Sequence, residues 1–158
     1  MDHTQGDLQH VLKISRIIHA PRKAVFEAWT NAESVKQWMC PEGWSVSFVE
    51  LDVQVGGAFR IDMHTDGADM VHTGIYREIT PPEKLVFTWV SRHTHYRESL
   101  VTVELFAHGE TTELVLNQMQ LPDEEAAERH IAGWTALTEH LAAFLQKRVW
   151  GHRDEHDG

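Results

Sequence analysis

Between Gln9 and His19 the apolar residues fall at Val11, Ile14, Ile17 and Ile18 among Lys and Arg, a β-branched run that predicts a first strand. Ala20-Pro21 stops it. Val25, Phe26 and Trp29 then follow at the i, i+1, i+4 spacing of a short amphipathic helix, whose first turn tolerates the proline. Asn31 breaks or caps that helix, and Val35, Trp38 and Met39 predict a second one that ends at Cys40-Pro41. Beyond Gly43 the period changes to two. Strands are predicted over Ser45–Val53, Ala58–Thr65, Ala68–Ile79, Lys84–Ser91, Ser99–Ala107 and Thr112–Gln118, separated by short connectors such as Gly56-Gly57, Pro81-Pro82 and Arg92–Glu98. Asp66-Gly67 reads as a type I′ hairpin turn, with positive φ at both central residues.

Alternation names a dry face: Phe59, Ile61 and Met63; Leu85, Phe87 and Trp89; Val101, Val103 and Leu105; Leu114 and Leu116. Arg60, Asp62, Thr88, Thr102 and Glu104, which lie between them, are expected on the wet face. Met70 to Tyr76 gives no clean alternation and leaves its faces unassigned. The last segment places Asp123 as a cap, Glu124 and Glu125 at the positive end of a helix dipole, and Lys147 and Arg148 at the negative end. Ala127, Ile131, Trp134, Leu137, Leu141, Phe144 and Leu145 make one apolar stripe between them, on a helix of about seven turns from Asp123 to Arg148. A single long helix following a sheet with one dry face has that face to pack on. The expected architecture is α+β: a seven-stranded curved antiparallel sheet, in the order β-α-α-β6-α, wrapped round a long carboxy-terminal helix.

Length and composition fit one domain over residues 1–158, with 42% hydrophobic and 24% charged residues, a core from about 9 to 148, and a polar, loose tail from 151 to 158. The formal charge of −10 opposes phosphate backbones, and the Lys and Arg residues form no basic run, so nucleic acid is not an expected partner. No apolar run approaches the roughly 20 residues of a membrane span. Met1 to His10 lacks a basic region followed by an apolar one, which points to a cytoplasmic protein. Cys40, the lone cysteine, cannot form an intrachain disulfide and reads as a small apolar group. Six Trp in one small domain leave room for a homodimer interface.

Several segments carry a family resemblance in order along the chain. They are Ala24-Val25-Phe26-Glu27-Ala28-Trp29-Thr30, Val35-Lys36-Gln37-Trp38, Val53-Gln54-Val55-Gly56-Gly57-Ala58-Phe59-Arg60, Gly74-Ile75-Tyr76 with Pro81 to Trp89, and Gly133-Trp134 before Leu141. Over about Leu12 to Leu145 the chain resembles the bacterial SRPBCC, or START-like, proteins of helix-grip fold, in the branch named after the activator of the heat-shock-protein-90 ATPase. That resemblance implies a cavity between sheet and long helix. It implies no specific chemistry, because the superfamily includes lipid and sterol carriers, hormone receptors, aromatic polyketide cyclases and co-chaperones.

Met63, Phe87, Trp89, Val103, Trp134 and Leu137 are the expected apolar lining, and His72, Tyr76 and His130 the expected polar groups, with Arg97 and Glu98 behind them. Gly133, inside a helix, fits a place that needs space. His93 with His95 and His152 with His156 offer pairs, not a convergent metal set, and no nucleophile elbow or phosphate-cradling loop is present, so neither metal nor cofactor is expected. The leading reading is a non-enzymatic binder of a small hydrophobic or amphipathic molecule. A co-chaperone-like or stress-related interaction module and a cyclase, dehydratase or hydrolase are the alternatives.

Overall fold

The computed structural model describes residues 10–157, with side chains from 10 to 148. Strand β1 (Leu12–Ile18) leads into helices α1 (Arg22–Thr30) and α2 (Ala32–Trp38). Six strands follow: β2 (Ser45–Leu51), β3 (Ala58–Thr65), β4 (Ala68–Thr80), β5 (Lys84–Trp89), β6 (Ser99–His108) and β7 (Thr111–Met119). Helix α3 (Glu124–Asp157) closes the chain. Its backbone runs past Arg148, where the charge pattern ends it, while the side chains of 149–158, which include the loose tail expected from 151 to 158, lie outside the described residues. All seven strands form one antiparallel sheet in the order β1-β7-β6-β5-β4-β3-β2. The meander from β2 to β7 therefore ends beside the first strand, in a register running from Leu12 opposite Gln118 to Ile18 opposite Thr112.

Local chemistry sets the boundaries. The Asn31 side chain accepts from the Ser34 amide at 3.0 Å and caps α2, and Asp123 Oδ1 accepts from the Ala126 amide at 2.8 Å and caps α3. Each such cap is worth about 1 kcal/mol. The β3–β4 hairpin closes between Thr65 and Ala68 as expected, but only Gly67 has positive φ, at 84°. The turn is therefore not type I′. Asp66 would bear the steric cost of a Cβ in the left-handed region, whereas Gly67 adopts it freely.

Every residue of the expected dry face is buried. Thr88 was expected to face water and is buried as well: its hydroxyl accepts from the Ile75 amide at 2.8 Å, beside the β-bulge between Tyr76 and Glu78. Strand β4 does alternate, with Met70, His72, Gly74 and Tyr76 turned inward. Its pattern is hidden in the sequence because a histidine and a glycine occupy two core-facing positions. At Gly74 a Cβ would stand 2.0 Å from the Thr88 carbonyl oxygen and 2.4 Å from the Phe59 ring, so only glycine lets β4 approach β5 here.

Helix α3 buries Ala126, Ala127, His130, Trp134, Leu137, Thr138, Leu141 and Leu145. Ile131, expected on this stripe, is 42% exposed; the helix is rotated so that His130 takes the inward place and Phe144 is only partly covered. Arg16 on β1 clamps the same helix, donating to Thr138 Oγ1 at 3.0 Å and to the Thr135 carbonyl at 3.1 Å. Trp29, Trp38, Trp89 and Trp134 are all buried within one chain, so they do not require a second copy to cover them. No described helix is long and apolar enough to cross a membrane.

Replacing Gly74 with Ala forces its methyl group into the Thr88 carbonyl and the Phe59 ring. The Gly74→Ala variant should lose about 3 kcal/mol of stability, the upper end of the cost of overpacking. Urea unfolding reads this directly, and an unchanged midpoint would show that β4 is free to move away from β5.

Candidate ligand-binding cavity

A cavity of about 320 Å³ lies where α3 leaves the sheet. Met63 on β3, Met70 and His72 on β4, and Trp89 at the end of β5 form its floor. Arg129, His130, Ala132, Gly133, Trp134 and Leu137 on α3 form its roof. Pro41 and Trp44 after α2, with Ser91 and His93 after β5, close its rim. Met63 and Met70 are cross-strand partners, so two flexible thioethers sit side by side in the floor.

The wall shared by Trp89 and Trp134 is rigid. Their ring centroids are 4.9 Å apart. A buried line of hydrogen bonds holds them there: Trp134 Nε1 donates to Gln118 Oε1 at 2.8 Å, Gln118 Nε2 donates to Ser99 Oγ at 2.9 Å, and Ser99 Oγ donates to the Trp89 carbonyl at 2.6 Å. Each member has a partner, which makes such a line stabilising rather than costly. The loop after β5 is equally fixed, by a 3-10 turn (Arg92–Thr94) in which Ser91 Oγ accepts from the His93 amide and Thr94 Oγ1 from the Ser91 amide, both at 3.1 Å.

The polar part of the wall is made of imidazoles. His72 is 5% exposed, stacks on Trp89 at 4.8 Å, and its Nδ1 makes no hydrogen bond among the described residues. Burial pushes its pKa down to about 4, against a smaller opposing pull from the Ile61 carbonyl across the ladder. Burial lowers His130 too, again opposed by a backbone carbonyl, that of Ala126, to which its Nδ1 donates at 2.7 Å. His93 is lowered by burial and then by the Arg129 guanidinium. Near neutral pH these imidazoles are uncharged. Arg129 is half-exposed and engaged by Glu125 at 3.3 Å.

The structure gathers six of the nine expected lining residues at this cavity: Met63, His72, Trp89, His130, Trp134 and Leu137. Tyr76 and Phe87 instead border a separate void of about 20 Å³ under Trp29 and Phe59, room for roughly one water. Val103 lies on a central strand between Leu85 and Leu116, where packing is complete, and reaches neither space. Arg97 is exposed, and Glu98 pairs with Arg77 at 3.6 Å outside the cavity. Sequence reading missed Met70, Trp44, Ser91, His93 and Arg129. The first follows from His72 once β4 is known to alternate, and Arg129 from Gly133 one helical turn on; the others depend on loop conformations.

Cys40 is partly buried, and that burial raises its thiol pKa while Sγ rests 3.3 Å from the Trp44 carbonyl, the opposite of what a nucleophile needs. Among the described residues, no three His, Cys, Asp or Glu converge to hold a metal ion. His95 lies instead beside Asp123, at 3.6 Å.

A curved antiparallel sheet holding one long helix, with a cavity between them, defines a helix-grip protein. The family model described as "Activator of Hsp90 ATPase homolog 1-like protein" matches residues 19–146, and the chain belongs to that family. No curated protein matches it. Among solved structures, an AHSA1 protein of Silicibacter pomeroyi is similar, with 27% identity and a TM-score of 0.76 over 87% of this chain and 99% of that one. A protein of Chromobacterium violaceum shares the fold, with a TM-score of 0.79 at 24% identity over 86% and 96% of the two chains. So does an uncharacterised protein of Rhizobium leguminosarum, with a TM-score of 0.74 at 25% identity over 87% and 94%.

The His72 shift fixes the sign of a pH dependence. Its pKa is near 6.5 when unfolded and about 4 when folded, so between these values the unfolded chain binds more protons. His72 therefore removes stability as the pH falls from about 6.5 toward 4, by roughly 2 kcal/mol between pH 7 and pH 5. Urea titrations at both pH values should show the wild-type loss exceeding that of His72→Phe by about this amount. Parallel losses would refute the assignment.

Proposed function

We propose that this protein binds one small apolar or amphipathic molecule, without turning it over, in the cavity between the sheet and α3. The observation that carries this reading is the cavity itself: about 320 Å³ at the low end of the 300–1,000 Å³ common for ligand sites, floored by two methionines and walled by two indoles. A ligand hiding roughly 250 Å² of apolar surface there gains about 6 kcal/mol. Lost translational and rotational freedom offsets about 4 kcal/mol or more of it. Apolar contact alone therefore gives weak binding, and useful affinity draws on the polar wall. Neither His72 nor His130 hydrogen-bonds a carboxylate that would orient it as a general base, which supports binding over catalysis.

A neutral fluorescent probe, N-phenyl-1-naphthylamine, tests this. Gly133→Leu places a side chain where a Cβ meets nothing within 4 Å, on the cavity roof, and should weaken probe binding at least tenfold without lowering the melting temperature. Absence of probe binding by the wild type, together with native mass spectra showing only the bare chain, would sink the proposal.

The family description supports a second reading, a co-chaperone-like module. Its check is the ATPase rate of an Hsp90 measured with a tenfold excess of this protein; an unchanged rate counts against it.

A further inference from the structure

Taking the cavity as a binding site, we propose that it selects a compact aromatic molecule carrying a neutral hydroxyl, and that His130 Nε2 accepts a hydrogen bond from that hydroxyl. This rests on the binding reading above and adds the chemical class of the ligand.

The argument starts from a tautomer. The Ala126 carbonyl can only accept, so the 2.7 Å contact to His130 requires the proton on Nδ1. The neutral ring then carries a bare lone pair on Nε2. Because Nδ1 is turned back onto the helix backbone one turn earlier, the ring edge that His130 offers to the cavity is the Nε2 edge. Nε2 has no protein partner among the described residues, and the indole N–H of the neighbouring Trp134 is already committed to Gln118. His72 borders the same cavity as a second uncharged ring, 5% exposed, with its Nδ1 buried out of reach of a ligand. The free lone pair of His130 Nε2, in a wall that is mostly apolar, asks for a ligand that brings a donor. The lowered pKa values of both rings keep them acceptors rather than cations.

A carboxylate brings acceptors only. It would meet the lone pair of His130 head-on, and Arg129, the cation that borders the cavity, is half-exposed and engaged by Glu125. A hydroxyl suits the wall better, since it can donate to Nε2 while its oxygen keeps accepting capacity for water at the rim. The body of the ligand is set by the flat surfaces. Trp89 is flanked by His72 at 4.8 Å and Trp134 at 4.9 Å, and such faces favour an aromatic ring over a flexible chain. About 320 Å³ admits one or two fused rings more readily than a long acyl tail.

Three isosteric probes test this at pH 7.5 by tryptophan fluorescence: 1-naphthol, 1-methoxynaphthalene and 1-naphthoate. The wild type should bind 1-naphthol about tenfold more tightly than the methyl ether and more tightly still than the carboxylate. In His130→Leu the ratio of naphthol to ether should fall to about one, while His130→Gln, which keeps an acceptor, should retain part of it. If His130→Leu does not fold, the wild-type series and His130→Gln decide the matter. Equal binding of naphthol and ether by wild-type protein that still binds N-phenyl-1-naphthylamine overturns this inference alone. Preference for naphthoate overturns it as well. Loss of all four probes overturns the binding reading, and this inference falls with it.

Discussion

The contact of Trp134 on Trp89 decides how the long helix meets the sheet. Two indoles alone could slide over one another, but the hydrogen-bonded line through Gln118 and Ser99 pins one ring by its nitrogen and the other by its backbone. Gln118 is completely buried, so releasing it would leave amide groups without water or partner, a cost of about 1–3 kcal/mol. Toward the carboxy terminus, Thr138, Leu141 and Leu145 continue the contact, with Arg16 bracing it from β1. From Arg129 to Leu137 the helix also borders the cavity. The cavity is the space left between that pinned point and the strand β4.

Much of this was legible in the residues. Strands β3 and β6 alternate cleanly, so Phe59, Ile61 and Met63, and Val101, Val103 and Leu105, declared their buried face without any structure, whereas Leu85 to Trp89 on β5 is buried throughout. Strand β4 did not, because His72 and Gly74 stand at inward positions where apolar residues would have marked the period. The same inversion occurs on α3, where Ile131 faces outward and His130 inward. A hydrophobicity pattern fails at those residues because a glycine needed for close strand approach and two buried imidazoles stand where apolar side chains would have marked the period. Thr88 misleads for a different reason: its hydroxyl mends the backbone beside a bulge, which no periodicity can foresee. Trp44 and Ser91 depend on loops whose conformation is set by tertiary contacts such as Cys40 Sγ on the Trp44 carbonyl.

Membership of the Hsp90 ATPase activator homolog family accounts for the frame and leaves the specificity to the lining. The electrostatics of that lining are unusual for so acidic a chain. With a formal charge of −10 outside, the cavity wall presents uncharged imidazoles within. Arg129, the cation on the cavity roof, is half-exposed and pairs with Glu125 at 3.3 Å.

The row of buried indoles has an optical consequence. Trp38 lies 4.8 Å from Trp29, Trp29 lies 6.0 Å from Trp134, and Trp134 lies 4.9 Å from Trp89. At such separations excitation migrates between rings far faster than it is emitted, so the four behave as one antenna. Light absorbed at Trp38, the buried last residue of α2, reaches the rings that wall the cavity. The emission of the row is therefore set by the surroundings of Trp89 and Trp134, the two of these rings that border the cavity.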